Sequence, residues 1–406
     1  MLFTSVILFL TLGFDLAYGQ EQKENEEVTV TLDFTGLNYG LKGNDPIKPP
    51  ILNKGVIVQN VNSFLSGRIY VNSKYIRLSY WWDDLGQIGI SVPKDNTIKS
   101  ISIATKEDNE SEFLLSYIKG NVKQEITWSH KKNADKNLIK KLTIDSDHIT
   151  LAPTMKADSY ITSITLTYTR PKLDATLDEK GENVESTISE IVGENKTLAL
   201  NRTFMPSQLY TMCLPFDLSK EMIKGIFGSE TKVYSYAGYQ NGELSFSTVK
   251  EDVVLNAGMP FLLRPEYYVE QPTFAGVIVK STNAQTVGGG EWEFCGTFGS
   301  YELAADGTQL FLTAGGTLAK PKAESRKMRG FRCYLKKAAG TVNGSAQLPS
   351  VTIDGETNAI KTAEYAAPTS GTIAYSLSGM KLNAGCKTAN GGIMIIGGKK
   401  FITTNR

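Results

Sequence analysis

Histidine is nearly missing from the sequence: His130 and His148 are the only two in 406 residues. A Ser–His–Asp or Cys–His relay needs one of them beside a nucleophile, and no G-x-S-x-G elbow accompanies either. A histidine-rich metal site is excluded by the same count. Cysteine is sparse as well. Cys213, Cys295, Cys333 and Cys386 show no C-x-x-C spacing, which argues against a zinc site. The first three sit inside apolar, strand-like runs, as buried free thiols do; a disulfide among them is the alternative. Charge of one sign is lacking too. With 43 Lys and Arg against 42 Asp and Glu the net charge is +1, without the basic excess of a dedicated nucleic-acid binder. After the first 19 residues no run approaches roughly 18 apolar residues, so no integral membrane span is expected.

What is present leans toward β structure. The chain holds 18 Tyr and 37 Gly, a balance suited to short strands joined by many turns. Residues Met1 to Gly19 (MLFTSVILFLTLGFDLAYG) carry a short apolar run followed by Ala17-Tyr18-Gly19, with small residues at the −3 and −1 positions. That pattern predicts a secretion signal cleaved before Gln20, and hence a secreted or cell-surface protein.

From Val28 to Phe34 (VTVTLDF) apolar and polar residues alternate, which places Val28, Val30, Leu32 and Phe34 on one face of a strand. Similar runs recur at Val56–Val61, Tyr75–Tyr80, Ile88–Val92, Ile98–Ile103, Leu142–Leu151 and Tyr160–Thr169, with no long helix between them. The pattern predicts an antiparallel sandwich or jelly roll over 28–170. Residues 171–195 then carry seven acids and two lysines with few large apolar residues, the composition of a solvated linker with one helical turn.

The second domain, 196–353, is organised around Thr203 to Gly228. An extended run, Leu209 to Leu214, stops at Pro215; Ser219 then caps a short helix with Met222, Ile223, Ile226 and Phe227 on one side, closed by Gly228. Further strands predict a β-sandwich or distorted barrel with one small helix. Residues 354–406 read as a short terminal β module, with Gly397-Gly398 as a hairpin turn. The fold class expected is therefore all-β.

The stretches RTF…LYTMCLPFDLS, LNAGMPFLLRPE, FCGTFGSYEL, DGTQLFLTAGGTL and MRGFRCYL, in that order, resemble a domain that recurs in exported and surface proteins of Bacteroidetes. The terminal AYSLSGMKL…GGIMIIGGKKFI is similar to the C-terminal module of many of those proteins, some of which is a signal for the type IX secretion route. GQIGISVPKDNTIKSISI and YITSITLTYT resemble, more loosely, galactose-binding-like jelly rolls of the same organisms. The resemblance implies export and surface display. It transfers no catalytic residue and no cofactor.

Among candidate sites, Tyr80-Trp81-Trp82-Asp83-Asp84 is the most suggestive. Trp81 and Trp82 beside Asp83 and Asp84 combine an aromatic face with fixed acceptors, the pair of properties a sugar ring requires. On a strand neighbours face opposite sides, so one Trp is expected to belong to the core. Asp83-Asp84 and the cluster Glu107, Asp108 and Glu110 lie on loops, as solvated turn residues or, in the minority reading, calcium ligands. Gly288-Gly289-Gly290 precedes a strand rather than a helix, so it lacks the context of a phosphate loop. The reading reached from sequence is a non-enzymatic surface binding or adhesion protein, with a glycan or a host or cell-surface component as partner. A glycan-acting hydrolase and a structural assembly subunit are the alternatives.

Overall fold

The computed structural model describes residues 24–35, 39, 50–61, 69–72, 74–81, 84–93, 96–106, 110–130, 142–154, 158–250, 254–288, 290–322, 324, 326–338 and 348–357, together with four strands between 374 and 402. Met1–Gly19 and Cys386 lie outside the described residues. The protein is all-β, with two short helices among the described residues.

Two compact units divide the chain, and neither is one continuous stretch. The first comprises residues up to Leu177, Gly193–Met205 and Tyr267–Ile278; the second comprises Asp178–Val192, Pro206–Glu266 and residues from Val279 onward.

In the first unit two sheets enclose one core. One sheet runs in the order Leu142–Ser146, Thr97–Thr105, Ser159–Pro171, Tyr75–Leu78, Ile69–Asn72, and Asn25–Asp33 also pairs with Ser159–Pro171. The other runs Val122–His130, Ser111–Lys119, His148–Pro153, Ile88–Ser91, Val56–Asn60, Ile51–Asn53, Tyr268–Glu270, Thr203–Phe204. Its neighbours are antiparallel except Ile51–Asn53 against Tyr268–Glu270. The period-two pattern explains the layering. Val30 and Leu32 enter a core shared with Ile101, Ile164, Leu166, Ile90, Phe113, Leu115 and Leu151. Thr29 and Thr31 point the other way and pair their hydroxyls with Thr167 and Thr165 at 3.1 and 3.0 Å.

The acidic segment is ordered rather than a solvated connection. Ala175–Asp178 is a strand beside Gly193–Asn201, which pairs in turn with Thr273–Val279, and Val184–Glu190 is a helix that buries Val184 and Ile188. The Asp174 carboxylate accepts the Thr197 amide at 2.6 Å, while the Thr197 carbonyl accepts the Asp174 amide at 2.8 Å. Acids here terminate strands instead of repelling order.

In the second unit the organising stretch keeps its core role but forms less strand than its apolar run predicts. Of the run Leu209–Leu214 only Tyr210–Met212 is strand; Leu209, Cys213, Leu214, Phe216 and Leu218 are nevertheless all buried. Pro215 interrupts the ladder because it has no N–H to donate. Single bridges from Phe216 to Val279 and from Leu218 to Leu255 continue the path. Ser219 then caps the helix Lys220–Phe227 by accepting the Met222 amide at 3.2 Å, and Ile223 and Phe227 face the core. A six-stranded sheet contains Tyr210–Met212, Phe261–Arg264, Lys232–Gln240, Glu243–Thr248, Ser350–Ile353 and Glu356–Thr357; a five-stranded one contains Thr286–Val287, Trp292–Thr297, Arg332–Lys337, Gln309–Leu312 and Leu318–Ala319. Tyr236, Phe246 and Phe294 pack ring to ring with centroids 5.3–5.9 Å apart. At the C-terminus Ile393–Ile396 pairs with Lys399–Ile402 and with Ala374–Ser376; Gly397 and Gly398 lie outside the described residues.

Candidate functional site

The aromatic–acidic patch singled out from sequence is described in part. Tyr80–Trp81 and Asp84–Leu85 form a two-stranded ladder of their own, with Tyr80 opposite Leu85 and Trp81 opposite Asp84; Trp82 and Asp83 lie outside the described residues. This hairpin joins neither large sheet. It connects Tyr75–Leu78 of one to Ile88–Ser91 of the other. Its base is tied by the Gly86 amide to the Ser79 carbonyl at 2.9 Å and by the Val61 amide to the Gln87 carbonyl at 3.0 Å.

Just before the hairpin, the outer face of the first sheet carries a cluster that sequence reading missed. Tyr75 and Tyr160 meet edge to face, centroids 5.2 Å apart and planes at 80°. Lys106 Nζ stands 5.6 Å from the centre of the Tyr75 ring. Arg77 Nε lies 3.9 Å from Asp158 Oδ2, both side chains about one-third exposed. Strand pairing explains the grouping. Arg77 is opposite Tyr160, Tyr75 lies two residues before Arg77 on the same face, and the Lys106 amide donates to the Tyr160 carbonyl at 3.0 Å. No signal in sequence joins positions 75, 106 and 160; the alternation showed only that Tyr75 and Arg77 share a face. Chemically the cluster offers ring faces and edges for weakly hydrated C–H groups, and cationic and anionic groups for hydroxyls.

The other candidates are not brought together. His148 pairs with Ser91, and its Nε2 lies 3.3 Å from Thr150 Oγ1. His130 pairs with Ser111, at the far end of the neighbouring ladder, where Phe113 meets Pro153. Glu110 is exposed, whereas Glu107 and Asp108 lie outside the described residues. No group of three His, Cys, Asp or Glu suited to a metal occurs among the described residues. Gly288 follows Thr286–Val287, which pairs antiparallel with Trp292–Thr297, and Gly289 lies outside the described residues.

Cys213, Cys295 and Cys333 are buried thiols. The Cys213 thiol donates to the Gly258 carbonyl at 3.2 Å and Cys333 to the Met212 carbonyl at 3.0 Å. Burial pushes the Cys213 thiol up to about 12, so it is not a nucleophile at neutral pH. The carboxyls of Glu125, Asp145, Asp217, Asp306 and Asp354 all lie below their ordinary range. The buried carboxylate Glu179 is occupied: its two oxygens accept from Arg329 and Arg332. No helix among the described residues is long and apolar enough to cross a membrane.

No protein-family model and no curated protein matches the chain. Among solved structures that match is wild-type discoidin II from Dictyostelium discoideum, at 13% identity over 63% of this chain and 94% of that one, with a TM-score of 0.19. A second is native recombinant discoidin II of the same organism, at 12% identity over 63% of this chain and 96% of that one, with a TM-score of 0.18. Overlap at this level carries no weight for function.

Proposed function

We propose that the protein is an exported, non-catalytic surface protein whose first unit binds glycan on the Tyr75–Tyr160 cluster, with the sequence run Trp81-Trp82-Asp83-Asp84 contributing further contacts. The observation that carries this reading is the Tyr75–Tyr160 pair flanked by Lys106 and by the Arg77–Asp158 ion pair. A pyranose packs its C–H face on such rings while its hydroxyls engage the neighbouring charges. Shallow platforms of this kind desolvate little area, so the binding is weak for one site and is raised by multivalent display.

A glycan array probed with the chain from Gln20, with hydrolysis products assayed in parallel, tests the proposal. Retention of a glycan class is expected, lost in Tyr75→Ala and Lys106→Ala and weakened in Trp81→Ala. Retention that survives all three substitutions places binding elsewhere, and accumulation of hydrolysed product favours the enzyme. Export is tested separately: protein recovered from the envelope or medium should begin at Gln20.

A further inference from the structure

The strand Val122–His130 is an edge of the eight-stranded sheet, and among the described residues it pairs on one side only, with Ser111–Lys119. It is nine residues long, and its register is continuous from Lys119↔Val122 to Ser111↔His130. Open edges of this length invite pairing with another chain unless a local device prevents it. The other edges of the two sheets have such devices. Leu142–Ser146 has a register shift between Thr143 and Ser146, with Asp145 at φ 126°. Ile69–Asn72 and Thr203–Phe204 are four and two residues long. Asn25–Asp33 carries Glu26, Glu27 and Asp33. Val122–His130 has only Lys123 and Glu125, and these two are mutually complementary.

Its geometry defines how a partner strand would meet it. Gly120 and Asn121, at φ 54° and 66°, make a two-residue turn, so Lys119 and Val122 close the hairpin. Alternate residues Lys123, Glu125, Thr127 and Ser129 therefore direct their N–H and C=O groups outward. Val122 is 58% exposed, and Ile126 and Trp128 on the same face are half-buried.

We infer that this edge is a self-association surface: two copies join Val122 to Ile126 antiparallel about a two-fold axis at Gln124. In that register Lys123 of each copy opposes Glu125 of the other, and Val122 opposes Ile126, each contact occurring twice as an isologous interface requires. Centring on Glu125 instead would set that carboxylate against itself. Centring on Ile126 would place both charges opposite hydroxyls. The Lys123–Glu125 pair, already 2.5 Å apart within one chain, extends across the axis to four alternating charges.

Sedimentation velocity on the chain from Gln20 across a concentration series tests the inference. The wild type is expected to be a dimer. Lys123→Glu or Glu125→Lys alone should weaken dimerisation at least about tenfold, because two attractive cross-strand pairs become repulsive. The double variant should dimerise again. A mixture of the two single variants should form only the heterodimer. Both residues are exposed, so far-ultraviolet circular dichroism, and melting at concentrations where every form is monomeric, should be unchanged in every variant, which separates loss of pairing from loss of fold. A wild type that stays monomeric to about 100 μM, or a dimer indifferent to both reversals, overturns the inference.

Discussion

Glu179 accepts a hydrogen bond from Arg332 Nη2 at 2.7 Å across 153 residues of sequence, and Arg329 Nη1 reaches its other oxygen at 2.8 Å. The Glu179 side chain is 5% exposed, so the pair is a buried clamp rather than a surface ornament. The Gly330 amide donates to the Glu179 carbonyl at 2.8 Å, which fixes the backbone at the same point.

Removing one partner of a buried ion pair leaves the other charge uncompensated. Glu179→Ala is therefore expected to destabilise the second unit by about 3 kcal/mol, less than a fully dry pair would lose because Arg329 is half exposed. Limited proteolysis gives the same test kinetically. Wild-type protein should resist cleavage across 174–195, and Glu179→Ala should open that stretch first. Early cleavage there in the wild type would contradict the clamp.

The same clamp shows why parts of the fold were legible in sequence and parts were not. Alternation at Val28–Phe34 is a local signal, and the face it assigned to Val30, Leu32 and Phe34 is the core face; along Tyr160–Thr169 a register shift between Ile161 and Ser163 interrupts the same period. Ser219, with apolar residues three and four apart behind it, marked the helix for the same reason. Residues 171–195 looked like a linker because acid counting sees charges without partners; Arg329, Arg332 and Thr197 are remote or invisible to composition. The return of Thr203–Phe204 and Tyr268–Glu270 to the first unit is equally non-local, since two short strands complete a sheet edge set more than a hundred residues earlier. The candidate site divides in the same way. A run such as Trp81 to Asp84 is visible as a motif, whereas Tyr75, Lys106 and Tyr160 meet only through strand register.

Asp354 gives the second unit a pH-dependent contact. Its Oδ2 accepts the Thr248 hydroxyl at 2.6 Å and its Oδ1 the Thr248 amide at 2.7 Å, locking the turn after Ser350–Ile353 to the end of Glu243–Thr248. The Thr248 hydroxyl, followed by the Thr248 amide, lowers the carboxyl below its ordinary 3.8. A depressed folded-state value means that the contact contributes fully above the unfolded value and is lost as pH falls through the folded one. Thermal melts between about pH 7 and pH 2 should show that Asp354→Asn lowers stability at neutral pH and flattens the fall below about pH 4. Parallel curves for variant and wild type would remove this linkage.

Gly296 is needed for space, not for backbone freedom. A Cβ placed there would lie 2.5 Å from the Cys213 sulfur and 3.1 Å from the Cys213 Cβ. Cys213 is fully buried and tethered to the Gly258 carbonyl, so it cannot move aside freely. Gly296→Ala should therefore cost roughly 1–3 kcal/mol, the range for overpacking a close-packed interior. Cys213→Ala removes the sulfur and by itself leaves a small void, with a cost of its own. Combined, the two changes remove the 2.5 Å approach to sulfur and leave the tight 3.1 Å approach of the two Cβ atoms, so the clash is relieved only in part. The double-mutant cycle, followed by chemical denaturation, should show the pair costing less than the sum of the singles by about 1 kcal/mol. Strict additivity would mean that the alanine is accommodated by backbone movement, and that the sulfur does not set the limit at position 296.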